Sequence, residues 1–246
     1  MPFRGIKPKY HKPSDLDMVR RIMNAPVPVA GYTAPQQRAV VKKLMHETQH
    51  FSEKETWAYW EKLWKRGKSF EEQNLAVYFW SHPQNYEIAK RNHKKLLAWA
   101  ADLSNWAHSD GMSSLYAKFL EDLGRPVDAI FLKWNSSKNP WLRRQSVVSL
   151  LYYTRQRKKT PTAKRVLSAL KPLLRDEHYY VQKGVGWTLR EVYQVDPKLT
   201  MAFIERHLHE IDPRAYSAAV EKVSLAEKKR LRELRSTRRK ESRTRS

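Results

Sequence analysis

Trp106, Asp110, Arg144 and Trp187 supply one carboxylate, one guanidinium and two indoles, and their spacing lets them act together. They sit in three short segments, Trp106-Ala-His-Ser-Asp110, Trp141-Leu-Arg-Arg144 and Gln182-Lys-Gly-Val-Gly-Trp187. The separations between these segments match those between turns of a stacked helical repeat, and in that register all four residues share one phase. The chain that carries them has 48 Lys+Arg against 25 Asp+Glu, a formal net charge of +23. An excess of that size favours a polyanionic partner through counterion release, and DNA or RNA is the commonest one. The constellation points to chemistry on nucleic acid.

The elements that must position these residues are helices. Ser52-x-x-Glu55 and Ser69-x-x-Glu72 have the pattern of capping boxes, each followed by apolar residues at helical spacing: Trp57, Trp60 and Trp64, then Leu75 and Phe79. Pro35, Pro161 and Pro197 follow Ala34, Thr160 and Asp196, where a first-turn proline is tolerated and the preceding Asp or Thr can cap. The pattern predicts helices near 14–24, 35–48, 53–65, 70–81, 84–91, 93–101, 113–123, 126–134, 140–157, 161–175, 178–194, 198–208 and 212–236. No Asn-Gly or Asp-Gly hairpin turn lies between alternating apolar runs, so the class is all-α. Of the nine tryptophans, Trp57, Trp60, Trp64, Trp80 and Trp99 are expected in the core, and Trp141 as the structural residue that holds Arg144.

An internal repeat separates a solenoid from a bundle. Aligning Glu72-Gln73-x-x-Ala76-Val77 with Arg144-Gln145-x-x-Val148 and Val181-Gln182-x-x-Val185 gives offsets of 72 and 37 between the glutamines. A period near 36 or 37 predicts a further copy at 109 or 110, where Asp110 stands, with Leu115 in the apolar place. The expected fold is an α-α superhelix of HEAT-like hairpins over 14–224, after an N-terminal extension of residues 1–13. The second helices would line a basic concave DNA-binding groove, with Gln73, Asp110, Arg144, Gln145, Gln182 and Lys183 on its floor. Residues 225–246 form a basic tail, a helical start fraying into a partly disordered arm. From Glu227 onward it carries ten Lys/Arg and three Glu, a net of +7 that leaves +16 on the rest of the chain.

Several classes are excluded. The chain has no Cys, so no disulfide framework and no thiolate metal or redox site. Its nine His are scattered, and His207 and His209, two apart, would face apart on a helix, so neither a metal nor a cofactor is expected. The first residues lack an apolar core of a signal peptide, and no run of about 18 apolar residues occurs. These features favour a cytoplasmic, nucleoid-associated protein with no membrane partner. A groove that closes around DNA favours a monomer.

At this point the residues carry a family resemblance. Over roughly residues 15 to 215 the chain resembles the AlkD-type HEAT-repeat DNA glycosylases, the DNA alkylation repair family. The segment Val181-Gln-Lys-Gly-Val-Gly-Trp187-Thr-Leu-Arg-Glu191 is similar to the family's Gln-Lys-Ala-Ile-Gly-Trp-x-Leu-Arg-Glu. Asn139-Pro-Trp141-Leu-Arg-Arg144 is similar to its Asn-x-Trp-x-x-Arg, Trp106-Ala-His-Ser-Asp110 to its Trp-x-x-x-Asp, and Gly31-Tyr-Thr-Ala-Pro35-x-x-Arg38 to its Gly-x-x-x-Pro-x-x-Arg. The resemblance implies excision of cationic N3- or N7-alkylated purines from double-stranded DNA without base flipping. It implies Asp110 as the catalytic carboxylate and Trp106 and Trp187 as the indoles against the lesion nucleotide. It implies Arg144 as a bidentate grip on the neighbouring phosphate. Gln182, Lys183 and Arg190 are further DNA-binding candidates, and Thr33 stands where the family often has a polar residue that contacts the opposite strand.

Each residue has a plainer reading. Asp110 could be the N-cap of a helix starting near Gly111 or Met112. Arg143, adjacent to Arg144 on another helix face, competes for the phosphate. His108 is expected as a surface or capping residue. At the level of the whole chain, two alternatives to a glycosylase are a non-catalytic HEAT-like DNA-binding protein that senses damaged or branched DNA, and a scaffold for an acidic protein.

Overall fold

The computed structural model describes residues 27–244 apart from 28, 68 and 152–157. The expected extension 1–13, the helix 14–24 and the last turns of the helix 140–157 therefore lie outside the described residues. Among the described residues every regular element is helical, and none is long and apolar enough to cross a membrane. The described residues divide into two compact units at Arg91 and Asn92.

The first unit holds α1 (Ala34–Glu47), α2 (Glu53–Arg66), α3 (Phe70–Ser81) and α4 (Tyr86–Arg91). The second holds α5 (His93–Ala98), α6 (Trp106–Leu123), α7 (Arg125–Asn135), α8 (Pro140–Leu151), α9 (Ala163–Leu170), α10 (Tyr179–Val195), α11 (Pro197–Arg206), α12 (Pro213–Ala219) and α13 (Leu225–Thr244). Both expected Ser caps are made: Ser52 Oγ accepts from the Glu55 amide while Glu55 returns to the Ser52 amide at 2.8 Å, and Ser69 Oγ accepts from Glu72 at 3.1 Å. Asp196 caps α11 ahead of Pro197, accepting from Leu199 at 2.9 Å.

Three boundaries differ from the sequence expectation. The helix expected at 113–123 begins seven residues earlier, at Trp106, capped by Asn105. Its first turns are rich in Ser and contain Gly111, which intrinsic propensity disfavours, yet Ser109 and Ser113 are buried against Gln145 of α8, and that packing overrides propensity. α9 starts at Ala163 with Thr162 as its cap, after Pro161 instead of at it. The expected helix 212–236 is two helices: Ser224 caps α13, with its Oγ accepting from the Glu227 amide at 3.3 Å, and the chain turns between Val220 and Ser224.

In the second unit α6, α8, α10 and α12 pack side by side in order, and α7, α9 and α11 pack across from them. This is the layering of a helical repeat, in which each hairpin buries its apolar face only against its neighbours. Each unit has its own aromatic core: Trp60 and Trp80 are fully buried in the first, with Trp64 buried and Trp57 half-buried, its indole N–H donating to Glu61 at 2.9 Å, and Trp99, Tyr116, Phe119 and Phe131 are fully buried in the second.

Within each unit the repeated glutamines tie successive helices together. Gln73 Nε2 donates at 3.1 Å to the Trp64 carbonyl and Gln182 Nε2 at 3.0 Å to the Leu173 carbonyl, each reaching back nine residues to the end of the preceding helix. Gln145 is fully buried and donates to the Ser109 carbonyl one repeat earlier. A helix end leaves carbonyls without partners, and a glutamine at a fixed offset satisfies them once per repeat. The expected groove floor is thus corrected at Gln145 and Gln182, whose amides face the interior.

Candidate active site

Asn105 starts the site. Its side-chain oxygen accepts from the His108 amide at 2.9 Å, so α6 begins with Trp106 and Asp110 four residues apart on one face. His108 is buried in the cap, with its ring 2.8 Å from the Asn105 amide, and is not a surface residue. Asp110 lies in the second turn of α6, so the reading of it as an N-cap is overturned; the cap is Asn105.

Arg144 comes from α8 and is almost entirely buried, 3% exposed. Its guanidinium is divided among three neighbours: Nε donates to Ser109 Oγ at 3.1 Å, Nη1 to the Tyr180 carbonyl at 2.8 Å, and Nη2 to Asp110 Oδ1 at 2.5 Å. Asp110 lies 34 residues before Arg144 and Tyr180 36 after it, so the repeat itself delivers one partner from each side. Trp141 stacks on the ring of Tyr180 at 5.2 Å, the residue whose carbonyl accepts from Arg144. Room for Arg144 exists because residue 184 is glycine: a Cβ there would stand 3.1 Å from Nη1 and 3.2 Å from Cγ. The side chain is too enclosed for the expected bidentate grip on phosphate. Its geometry instead serves Asp110.

Trp106, Asp110, Arg144, Lys183, Trp187 and Arg190 line one open cavity of about 450 Å³, joined by Tyr179, Tyr180, Ala218 and Glu221. Trp106 is 55% exposed, a large apolar surface left to solvent. Trp187 is half-buried, its indole N–H donating to Glu191 at 3.2 Å and its ring 6.0 Å from the Arg144 guanidinium carbon. Burial pushes the Asp110 carboxyl above its ordinary range, and the charge and hydrogen bond of Arg144 pull it back only in part. Arg190 pairs with Glu221 at 2.6 Å, and that bond holds the Glu221 carboxyl below the usual range. Lys183 is exposed at the edge.

The remaining candidates lie elsewhere. Gln182 is fully buried and tied to the Leu173 and Asp176 carbonyls, so it cannot reach DNA. Arg143 is spent on structure, bonded to Asp176 at 2.5 and 3.1 Å and to the Ser137 and Lys138 carbonyls. Thr33 is in the other unit, at the start of α1, where its amide and hydroxyl both lie 2.8 Å from Gln36 Oε1. Sequence reasoning missed Tyr179 and Tyr180, although they directly precede the Val181-Gln182 segment in the first turn of α10. Glu221 had no signal, because the turn that places it was hidden inside an expected helix. Among the described residues no group of three or more His, Asp or Glu is placed to hold a metal ion.

A cavity walled by two indoles over a carboxylate-guanidinium pair suits a cationic or electron-poor ring held beside an anion. The model for the DNA alkylation repair enzyme family matches residues 9–223. The chain belongs to that family. Membership gives it a role in the repair of alkylated DNA, with DNA as its partner. No curated protein matches the chain. Among solved structures, the fold is similar to a predicted DNA alkylation repair enzyme from Enterococcus faecalis, with a TM-score of 0.65 at 16% identity, covering 89% of this chain and all of that one. It is also similar to smu.31 from Streptococcus mutans UA159, with a TM-score of 0.56 at 15% identity over 84% of this chain and all of that one. A third similar structure is AlkD2 from Streptococcus mutans, with a TM-score of 0.54 at 15% identity over 84% of this chain and 95% of that one.

Proposed function

We propose that this protein is a DNA glycosylase that releases cationic N3- or N7-alkylated purines from duplex DNA by hydrolysing the N-glycosidic bond. The observation that carries the reading is the Asp110 carboxylate, partly open to a cavity walled by Trp106 and Trp187 and fixed from behind by a buried arginine. Alkylation at N3 or N7 puts a positive charge on the purine. When the C1′–N bond breaks, its electron pair neutralises the leaving base, and positive charge grows on the deoxyribose. A carboxylate beside C1′ stabilises that charge, and it orients and deprotonates the water that adds to C1′. The base leaves neutral, so no general acid is needed.

The indoles complement this charge development. Cation–π attraction to a charged ring or an oxocarbenium-like sugar is worth about 0.5–2 kcal/mol per tryptophan. Walls that hold the nucleotide from its faces are consistent with excision without base flipping. Arg144 keeps Asp110 ionised against its burial and fixes its orientation; it is a positioning residue. Lys183 and Arg190 stand where they could meet phosphates, Arg190 after exchanging Glu221 for a phosphate oxygen.

The test is release of 7-methylguanine and 3-methyladenine from methylated duplex DNA by the wild-type protein and by Asp110→Asn. Release that is lost in the variant supports the glycosylase and its carboxylate together. Tight, salt-sensitive binding with no release by the wild type would overturn the reading in favour of a non-catalytic DNA-binding protein.

A further inference from the structure

Two carboxylates line the cavity, and only Asp110 has a task in the proposed chemistry; Glu221 has none. The charge of Glu221 opposes the phosphates of any duplex laid across the cavity. It is nevertheless fastened there. Glu221 lies in the turn between α12 and α13, and Lys228 Nζ of α13 donates to its carbonyl at 2.9 Å. α13 is itself docked, with Leu231 fully buried and Arg235 donating to the Ile211 carbonyl at 2.9 Å. The family match ends at residue 223, so the helix that fixes Glu221 lies beyond it.

The two oxygens of Glu221 have different partners. Oε2 accepts from Arg190 Nη1 at 2.6 Å, and Oε1 lies 3.2 Å from Lys222 Nζ. Arg190 comes from α10, where its Nη2 lies 3.5 Å from Glu191 Oε1, the oxygen that accepts from the Trp187 indole at 3.2 Å. Nε of Arg190 is enclosed and, among the described residues, has no hydrogen-bond partner. Glu221 thus leaves the guanidinium short of a bond, whereas a phosphate can accept from two parallel N–H groups at once. Losing Arg190 does not strand Glu221, because Lys222 still holds its other oxygen. The carboxylate is paired in both positions, and a ligand that favours one of them can shift it.

We propose that Glu221 is an autoinhibitory contact: it occupies Arg190 in the DNA-free protein in place of a backbone phosphate, and duplex DNA must displace it to gain that arginine. The inference rests on the Asp110 cavity being the DNA site and adds a regulation of that site. A chain of net charge +23 is held to any duplex by its charge alone. An internal anion that competes for one contact cation weakens that hold, on undamaged and on abasic DNA alike, and so favours release after a turnover.

The experiment is a double-mutant cycle on binding of the full chain to undamaged duplex DNA, read by fluorescence anisotropy at fixed salt. The four proteins are wild type, Glu221→Gln, Arg190→Gln and the double variant. Glu221→Gln is expected to bind about two- to five-fold more tightly, the range for breaking a half-exposed ion pair, and Arg190→Gln more weakly than wild type. In the Arg190→Gln background the gain from Glu221→Gln should vanish, because no cation is left to set free. An equal gain in both backgrounds would overturn the proposal, since Glu221 would then act only as a negative charge near DNA. No gain in the wild-type background, or unchanged affinity in Arg190→Gln, would overturn it too. Thermal melting checks that each variant is folded, and Glu221→Ala, which removes the carboxylate by a different side chain, should reproduce the gain. The probe carries no lesion, so failure of the wild type to release any base counts against the glycosylase reading and leaves this cycle intact.

Discussion

At the scale of single residues the pairing of Asp110 with Arg144 sets the ionisation of the carboxyl on which the proposed chemistry rests. A carboxyl raised by burial ionises only at a pH above the ordinary carboxylate range, and the proposed mechanism uses the ionised form. The acid limb of the pH–rate profile for base release should therefore lie above that of an unperturbed aspartate. Asp110→Asn should lower release by roughly 10²–10³-fold, the loss typical of one stabiliser of transition-state charge, with DNA affinity unchanged or tighter because an anion facing phosphates is gone. Arg144→Gln removes the group that pulls the Asp110 carboxyl back down, so its acid limb should move further toward neutral pH. Gly184→Ala should act in the same direction from a distance, because the new Cβ pushes on the arginine at 3.1 Å and loosens its hold on Asp110. A Gly184→Ala enzyme with the wild-type pH profile and rate would remove Arg144 positioning as an explanation.

At the scale of elements, α6, α8 and α10 matter because they lie in register. Arg144 reaches one repeat back and one repeat forward, so any shift between these helices changes its bonds. The next contact in the layer, α10 on α12, depends on Gly186: a Cβ there would lie 2.9 Å from the Cα of Ala215 and closer still to its carbonyl oxygen. Backbone cannot yield as a side chain can. Gly186→Ala should cost about 1–3 kcal/mol as overpacking, which for a chain of this size lowers Tm by several degrees at about 2–4 °C per kcal/mol; a melt by circular dichroism reads it. Helices with Ser caps and apolar spacing, such as α2 and α3, were legible in the sequence nearly to the residue. The start of α6 was not. Ser109, Gly111 and Ser113 weaken a local helix signal, and the two serines are there because α6 and α8 approach closely enough to bury them against Gln145.

At the scale of the whole molecule, the net charge of +23 governs encounter with DNA. Binding to undamaged duplex should fall steeply with salt, by about 10³–10⁵ between 50 and 200 mM if about 6–10 phosphates are neutralised. An anisotropy titration checks this, and heparin in the same assay separates a DNA surface from a general polyanion surface by how much of the binding it displaces. A weak salt response would show that the excess charge is spread over faces that never meet DNA. The partial use of that charge inside the protein, as in Arg143 with Asp176 and Arg165 with Asp128, lowers the number of cations left for DNA below what composition suggests.

The sequence by itself determined the class, the repeat and the set of residues that meet. Capping patterns and apolar spacing are local, and a period of 36 or 37 residues survives in one dimension because each repeat solves the same packing problem. For that reason Trp106, Asp110, Arg144 and Trp187 could be grouped before any coordinates. Only the tertiary structure decided which way polar side chains turn. Gln182 and Gln145 share the phase of the site and face inward, because helix ends left carbonyls there to be satisfied. Arg144, expected to hold a phosphate, holds Asp110, because Ser109 of α6 and the Tyr180 carbonyl and the space over Gly184 of α10 converge on it from two helices that no local pattern connects.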